Sequence, residues 1–507
     1  MSSTMKQLAP KHHPCSHHLL APSVLLLLVL AAAFVQECAA QEGGSSSGGS
    51  DDHAPLVSPL AKDPATSLYT ISIKDGSGPL VIDLAGPLVW SSCSCASGGH
   101  PTFPCGSAEC DAATASSFDQ PDHGPGAIIA DGGGGAGRHV DCTCTARPCD
   151  PVTPGRCAAG DLTSFAMSAN ATDGRNALHP VSFQAVGACV PLDSLLLRSG
   201  AAGVAGLGRA PLSLPSQLAA ARRFGRRFAL CLPGVAIFGV TPIYLGYYPP
   251  DLMTTIASTP LSTNPRSGGY YLPVEAISVS WPSWNVATSR VALPPGALEL
   301  DAATGRGGVT LSTVRRYTAM RPDVYRAFVK AFSDAIGEPG HVKAMPGVPP
   351  FELCYDTWSL RHLRVVGWDV PSIHLELGAG ASMNWTVDSG NSMVQVADRT
   401  LCLAVVEMVG PEEAAAHDAA AAVVIGGYQV EDNLLVFDED REVLHFSGLL
   451  WGSGATCSSF NFTAPRYHCR RRATLCPAPA LPCPDRHIPL PAECKVARLR
   501  RHPYLIR

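Results

Sequence analysis

The sequence predicts an all-β fold with a few short helices. Among its 507 residues are 48 glycines and 44 prolines, a share typical of many short strands joined by turns. From about Leu56 onward, short apolar or alternating segments are separated by Gly and Pro, as at 67–73, 79–85 and 87–93, and these patterns predict strands. The length and the 46% hydrophobic fraction allow a large buried core divided over two or three domains.

The N-terminus reads as a secretory signal. Lys6 and Lys11 precede an apolar run from Val24 to Val35, and Ala39 and Ala40 supply the small residues of a cleavage site. We therefore expect a signal peptide at 1–40, a flexible Gly/Ser-rich linker at 41–55, and secretion of the remainder. The apolar run is too short to span a bilayer, and no later run is long enough, so we expect no membrane partner.

Charge and cysteine content restrict the partners further. The net charge of -5 provides no overall basic field for nucleic acid. Nineteen cysteines indicate disulfides formed in an oxidising compartment. The pairs Cys93/Cys95 and Cys142/Cys144 are spaced too closely for the usual zinc motifs, so neither a metal nor another cofactor is expected.

Three segments have helical patterns. They are LPSQLAAARRF from Leu214, RPDVYRAFVKAFSDAI from Arg321 and TLCLAVVEM from Thr400. In the second of these, Pro322 suits the first turn and Asp323 is favourable near the positive end of the helix dipole.

A polar connector at 259–269 divides the strand-rich region into two. We expect an N-terminal lobe at 56–262 and a C-terminal lobe at 263–457. The tail at 458–507 is rich in Arg, Pro and Cys but lacks an apolar period, so we expect a poorly ordered appendage. An alternative is that this basic tail docks on acidic polymers.

The segment SLYTISIKDGSGPLVIDLAGPLVWSSC at 67–93 resembles the TAXI-type xylanase inhibitors of plants, which are inactive members of the pepsin-like aspartic protease family. Further matching segments are GVAGLGRAPLSLPSQLA at 203–219 and VVIGGYQVEDNLLVFD at 423–438. The resemblance covers roughly 56–457 and implies a bilobal pepsin-like aspartic protease fold. It also implies a monomer that is secreted to the apoplast.

Pepsin-like catalysis requires two carboxylates that share a proton. Asp83 stands at the first position, but Leu84 has replaced the hydroxyl residue that braces the opposite lobe, and Ala85 has replaced a Gly. The resemblance places the second position thirteen residues before Tyr325, at Ser312. Serine does not ionise near neutral pH, so Asp83 is interpreted as a relic and no peptidase activity is expected.

Asp388-Ser389-Gly390 is a literal catalytic-type motif in a second place. It leaves too few residues before Cys457 to complete a lobe, so a turn at the surface between two strands is the preferred interpretation. The region matching the protease flap, 147–155, has no tyrosine.

The resemblance also assigns the cysteines. It implies that Cys231 reaches Cys457 and that Cys354 pairs with Cys402, with the other bridges in the first lobe. Cys95 either pairs with the tail or leaves one thiol free, and the remaining connectivity is open. The first-lobe cysteines are Cys93, Cys105, Cys110, Cys142, Cys144, Cys149, Cys157 and Cys189. Of three glycosylation sequons, Asn170 is the favoured site.

In xylanase-inhibiting relatives, a His after the last strand enters the xylanase cleft. Here Trp451, following Leu450, occupies that position, and His445 is a weak substitute. Three hypotheses follow: an inhibitor of microbial endo-xylanases that acts in plant defence, a non-catalytic wall or storage-like protein, and a residual aspartic endopeptidase that uses Asp83. The first is preferred on resemblance.

Overall fold

The structure, a computed structural model, describes residues 53–462 apart from 94–99, 117–141, 154, 193, 196, 198–199, 246–250, 282–287, 338, 379–380, 382 and 409–420. The predicted signal peptide, nearly all of the predicted linker, Cys95 and the tail from 463 lie outside the described residues. The described residues all belong to one compact unit.

Short strands dominate the first half of the described chain. The segments predicted at 67–73, 79–85 and 87–93 each contain a strand. The strands are β1 Leu56–Lys62, β2 Tyr69–Ile71, β3 Leu80–Asp83, β4 Val89–Cys93, β5 Thr145–Ala146, β6 Gly160–Ala171, β7 His179–Pro191, β8 Gly203–Gly206, β9 Arg227–Cys231, β10 Val235–Phe238, β11 Tyr244–Leu245 and β12 Ala257–Pro260.

The second half continues the same pattern after the polar connector. Its strands are β13 Tyr271–Leu272, β14 Val274–Ser280, β15 Ser289–Arg290, β16 Leu300–Asp301, β17 Arg306–Gly307, β18 Val309–Leu311, β19 Thr318–Met320, β20 Ala344–Met345, β21 Cys354–Asp356, β22 His362–Leu363, β23 Gly367–Trp368, β24 Ser372–Leu377, β25 Trp385–Val387, β26 Met393–Ala397, β27 Thr400–Leu403, β28 Val405–Glu407, β29 Val423–Ile425, β30 Leu434–Asp438, β31 Val443–Phe446 and β32 Phe460–Asn461.

Four α-helices are described: α1 Ala108–Ala115, α2 Leu214–Arg222, α3 Pro322–Gly337 and the single turn α4 Ser389–Ser392. The helices predicted from Leu214 and Arg321 are confirmed as α2 and α3. Ser213 caps α2 by accepting a hydrogen bond from Ser216 N. The 3₁₀ turns are Leu252–Thr254, Thr357–Ser359, Gly427–Val430, Leu450–Ser453 and Cys457–Ser459.

The prediction of a helix from Thr400 is wrong. This segment forms β27 and β28, separated by Ala404. β27 lies between β21 and β26 in a four-stranded sheet, with Cys402 opposite Cys354. A short apolar run fits a buried strand as well as a helix, so the neighbouring strands decide its conformation.

The strands form two lobes. A thirteen-stranded sheet has the order β12-β31-β30-β9-β10-β1-β2-β3-β8-β4-β7-β6-β5, so β30 and β31, from near the C-terminus, continue the sheet of the first lobe. The second lobe contains the sheets β13-β18-β29-β19-β28, β15-β14-β24-β25 and β20-β21-β27-β26. This is the mostly β, bilobal pepsin-like fold that the sequence predicts.

One strand arrangement occurs in both lobes. In the first, β3 runs parallel to β8, β8 pairs antiparallel with β4, and β4 runs parallel to β7. In the second, β18, β29, β19 and β28 repeat the same sequence of parallel and antiparallel pairings. The ends of β3 and β18 are therefore equivalent positions.

Buried aromatic side chains join the lobes. The rings of Phe228 and Phe437 stack with centroids 4.6 Å apart, and Tyr270 packs against Phe437 at 4.5 Å. The Tyr270 hydroxyl lies 2.8 Å from the carbonyl oxygen of Leu207 and 2.6 Å from Glu439 Oε1. Phe228 and Phe437 face each other on β9 and β30 of the large sheet, so Tyr270, just before β13, is the residue that joins this sheet to the second lobe.

Six disulfides are formed among the described cysteines, and they include the two pairings that the resemblance implies. They are Cys93–Cys189, Cys105–Cys142, Cys110–Cys144, Cys149–Cys157, Cys231–Cys457 and Cys354–Cys402. Cys231–Cys457 ties the end of the described chain to the sheet of the first lobe across 226 residues of sequence.

Candidate functional site

Asp83 is the last residue of β3, where it lies opposite Gly206 of β8 and is only 6% exposed. Its Oδ1 accepts a hydrogen bond from Ala85 N at 3.0 Å, and its carbonyl oxygen accepts one from Leu207 N at 2.8 Å. A Cβ on Gly86 would lie 2.8 Å from Gly206 Cα, so only glycine allows this close backbone contact. The local geometry positions the Asp83 carboxylate at the end of its strand.

Ser312 occupies the equivalent position after β18. Its N–H donates to the carbonyl oxygen of Ile425 in β29 at 2.9 Å, which continues the parallel register beyond Leu311. Its Oγ accepts a hydrogen bond from Arg315 N at 3.2 Å and the residue is 5% exposed. The Ser312 hydroxyl thus makes a contact of the kind that the Asp83 carboxylate makes with Ala85 N.

Thr313 connects the two strand ends. Its hydroxyl donates to the carbonyl oxygen of Ile82 at 2.7 Å and accepts from Leu84 N at 3.2 Å. The reciprocal side-chain contact is not available, because Leu84 has an apolar side chain that is buried in the core. Half of the brace that pepsin-like proteases build between their lobes is therefore present.

This geometry cannot perform aspartic protease chemistry. Two adjacent carboxylates would keep one proton between them and activate a water molecule. Here the first position has a carboxylate and the second has a hydroxyl, which does not ionise near neutral pH. Ser312 and Asp83 therefore do not form a catalytic pair.

Asp388 forms a separate half-buried cluster in the second lobe. It follows β25, and its Oδ1 accepts a hydrogen bond from Ser372 Oγ at 2.9 Å. Burial raises the pKa of Asp388 above its ordinary value, and burial lowers that of the neighbouring His374. The preferred interpretation as a surface turn is wrong, because Ser389, Asn391 and Ser392 of the following turn are all buried.

The flap region is a hairpin. β5 pairs with the start of β6, and the disulfide Cys149–Cys157 closes the connection between them. Asp150 Oδ1 accepts hydrogen bonds from Val152 N at 2.9 Å and Thr153 N at 3.2 Å. Residues 145–161 contain no tyrosine, so the flap contributes no phenol hydroxyl to a reaction.

Trp451 lies in the 3₁₀ turn Leu450–Ser453 after the last strand of the large sheet. It is 38% exposed, and its indole N–H donates to Asp432 Oδ2 at 2.9 Å. The ring packs directly on Gly390, where a Cβ would lie 2.9 Å from Trp451 Cζ3. Trp451 is therefore fixed on one side and open to solvent on the other.

Asp432 holds the loop that contains Trp451 through several hydrogen bonds. Its carbonyl oxygen accepts from Leu450 N at 2.9 Å and its Oδ1 accepts from Cys457 N at 2.9 Å. Leu450, predicted together with Trp451 as part of an inhibitory loop, is only 3% exposed and packs in a core cluster. Leu450 anchors the loop, whereas Trp451 is its accessible aromatic residue. Sequence reasoning missed Asp432, because nothing in its local sequence indicates contacts eighteen or more residues away.

Glu431, adjacent to Asp432, connects the segment that holds the Trp451 loop to the first lobe. Its Oε1 accepts a hydrogen bond from the Tyr69 hydroxyl at 2.6 Å and forms an ion pair with Lys62 Nζ at 2.5 Å. Burial and the Glu431 charge raise the pKa of Tyr69 well above its usual range, so this phenol stays protonated and acts as a donor.

Two other predicted residues have less open surroundings. His445 is in β31 between Ser258 and Val436, and burial lowers its pKa, so this ring favours the neutral form. Asn170 is half-buried in β6, and Thr172 of its sequon is buried and accepts a hydrogen bond from Gly174 N at 3.0 Å.

Within 53–462, outside the gaps, no group of three or more His, Cys, Asp or Glu side chains is arranged to hold a metal ion. No helix in the described part of the chain combines the length and apolar character needed to cross a membrane.

The fold and the Asp83/Ser312 geometry define a non-catalytic type of aspartic protease homologue. Family models described as xylanase inhibitor N-terminal and xylanase inhibitor C-terminal match residues 69–240 and 269–448. The chain is 45% identical over 427 residues to chitinase CLP of Oryza sativa subsp. japonica, across 81% of this chain and 92% of that protein. The chain belongs to the TAXI-type xylanase inhibitor family.

Other relatives carry different names. The probable aspartic proteinase GIP2 of Nicotiana benthamiana is 31% identical, across 81% of this chain and 92% of that protein. The crystal structure of EDGP superposes with a TM-score of 0.67 at 31% identity, covering 81% of this chain and 99% of that chain. Conglutin gamma, a basic 7S globulin from lupine seeds, gives 0.61 at 26% identity, covering 80% and 98%.

Proposed function

We propose that the chain is a secreted, proteolytically inactive protein that inhibits microbial endo-xylanases through its Trp451 loop. The observation that carries the proposal is the anchoring of Trp451 by Asp432, which leaves the ring 38% exposed after the last strand of the large sheet. Family membership supplies the class of target.

A fixed loop suits inhibition because little conformational entropy is lost when it binds. Three contacts made by Asp432 and the disulfide at Cys457 hold the loop before a partner arrives. Trp is enriched among the residues that dominate protein–protein binding energy. A partly exposed indole also suits the substrate cleft of a glycan-cleaving enzyme, where a flat apolar surface takes the place of a sugar ring.

Secretion and organisation are part of the same proposal. The bridged cysteines fit an oxidising compartment, and the leader at 1–40 supplies the export signal. We propose lobes at 56–262 and 263–457, and a monomer that acts in the plant apoplast.

The name of the rice relative makes chitin cleavage a second candidate. Glycoside hydrolysis ordinarily uses two carboxyl groups that flank the bond to be broken. Asp83 brings one carboxylate and Ser312 brings none, which weighs against hydrolysis at this site. A non-catalytic wall or storage-like role is the third candidate, supported by the likeness to conglutin gamma.

The test measures xylan hydrolysis by a panel of microbial endo-xylanases with increasing amounts of the purified chain. We expect inhibition of at least one enzyme, weakened about thirtyfold in Trp451→Ala because a hot-spot Trp contributes about 2 kcal/mol. Met383→Ala, at a residue 60% exposed on another hairpin, is the matched control and should inhibit normally.

Other outcomes would reject the proposal or favour one of the other candidates. Insensitivity of the whole panel, or unchanged inhibition by Trp451→Ala, would reject the proposal. Release of chitin fragments by the chain alone would favour the second candidate. Pepstatin-sensitive casein cleavage at about pH 4 that Asp83→Asn abolishes would restore the peptidase hypothesis.

A further inference from the structure

Trp358 is the most exposed large hydrophobic side chain among the described residues, at 79%. It lies in the 3₁₀ turn Thr357–Ser359 of the second lobe. Exposing an indole keeps apolar surface in water and gains nothing for folding. A function in binding would account for this position, which the proposed function does not use.

The Trp358 ring is held by a network of contacts. Arg399 stacks over it, with its guanidinium carbon 4.1 Å from the ring centroid. Arg399 Nη2 donates to Asp356 Oδ2 at 2.6 Å, and Asp356 Oδ1 accepts from Trp358 N at 3.1 Å. The Cys354–Cys402 disulfide links β21, which ends at Asp356, to β27, which begins just after Arg399.

Arg399 covers one face of the indole, and the exposure of 79% leaves the opposite face to solvent. Because the turn is fixed by side-chain and backbone bonds, this face is presented in one orientation. Binding to it therefore costs little ordering of the protein.

The charged groups around Trp358 have a consistent arrangement. The carboxylates of Asp356 and Asp369 are turned inward, with side chains 4% and 7% exposed. Their partners Arg399 and Arg361 extend outward, 49% and 66% exposed. Lys343 is also exposed, and its backbone N–H donates to Ser359 Oγ at 3.0 Å. Asp398, the residue before Arg399, is exposed as well, so the exposed charges on these segments are three cations and one carboxylate.

We propose that Trp358 is the platform of a binding site for a β-linked glycan that carries uronic acid groups. The apolar face of one pyranose ring would stack on the open indole face, and Arg361, Arg399 and Lys343 would attract the carboxylates. A lone aromatic residue among charged groups does not resemble the apolar centre of a protein interface.

The experiment titrates the full chain with a glucuronic acid-substituted xylo-oligosaccharide and, separately, with the neutral xylo-oligosaccharide of equal length. We expect tighter binding of the acidic ligand and quenching of tryptophan fluorescence. Trp358→Ala should weaken binding by roughly three- to tenfold, as expected for loss of one aromatic stacking contact. Trp358→Phe should retain part of the affinity.

The controls separate this site from general effects. Met383→Ala should bind as the parent does, and Lys343→Gln should reduce only the preference for the acidic ligand. Unfolding midpoints confirm that each variant is folded. Equal binding by Trp358→Ala, equal affinity for both ligands, or preferential binding of a single-stranded oligonucleotide would each overturn the proposal. Inhibition of xylanases is measured separately, so failure of one proposal does not decide the other.

Discussion

Replacing Thr313 with Val tests the remaining contact between the two strand ends. Val has nearly the same shape, so the substitution removes the hydroxyl without creating a cavity. Two buried groups lose their partner: the carbonyl oxygen of Ile82, now 2.7 Å from Thr313 Oγ1, and the N–H of Leu84, at 3.2 Å. Each unsatisfied buried group costs about 1–3 kcal/mol, so for two groups we expect a loss of about 2–6 kcal/mol in the free energy of unfolding.

The assay is urea unfolding of the disulfide-intact protein, followed by fluorescence and circular dichroism. Thr255→Val is the matched control, because Thr255 is exposed and its hydroxyl donates only to Leu252 O at 3.0 Å. This control should change stability by less than about 0.5 kcal/mol. An equally small effect of Thr313→Val would refute the inference that this hydroxyl stabilises the junction of the lobes.

Three further predictions concern charge and crosslinking. Asp388→Asn should raise the unfolding midpoint at neutral pH. Burial raises the folded-state pKa of Asp388 above its ordinary 3.8, so the parent protein loses stability as the pH rises from the ordinary pKa through the folded-state pKa. Near pH 3, where the carboxyl group is protonated, the parent and the variant should be equally stable. Ser312→Asp should lower the free energy of unfolding at neutral pH, because it adds a second buried carboxylate whose ionised form is disfavoured there. Near pH 3, where this group is protonated, stability should not fall. The variant should not gain peptidase activity while Leu84 remains. Replacing both Cys231 and Cys457 with Ser should cost up to about 5 kcal/mol, since the bridge spans 226 residues, and should abolish inhibition by releasing the Trp451 loop. A stable double variant with full inhibition, a pH-independent effect at Ser312 or a lower midpoint for Asp388→Asn would contradict the respective prediction.

Much of the fold follows from local patterns. Short apolar runs between Gly and Pro predict β2, β3 and β4, and the helices α2 and α3 begin where Leu214 and Pro322 indicate. The Thr400 segment was different, because its apolar run has no period that distinguishes strand from helix. Pairing with β21 and β26, which lie outside the segment, decides that it is extended.

Part of the candidate site can likewise be predicted from the sequence, and part depends on packing. The absence of a second carboxylate at Ser312 and of a hydroxyl at Leu84 is visible in the sequence, once the family motif is located. The sequence suggests a surface turn at Asp388, but the packing of the following turn makes this carboxylate half-buried and raises its pKa. Burial depends on what covers a residue, and the covering atoms come from distant strands.

The sequence by itself determined the all-β class and, once the family motif is located in it, the loss of the catalytic pair, because both depend on residue types and on spacing along the chain. Only the tertiary structure decided that Thr313 bridges the lobes, that Asp432 holds Trp451, and that Arg399 stacks on Trp358. These contacts join residues up to 231 positions apart. Their geometry depends on the register of paired strands and the packing of two lobes, which no local pattern specifies.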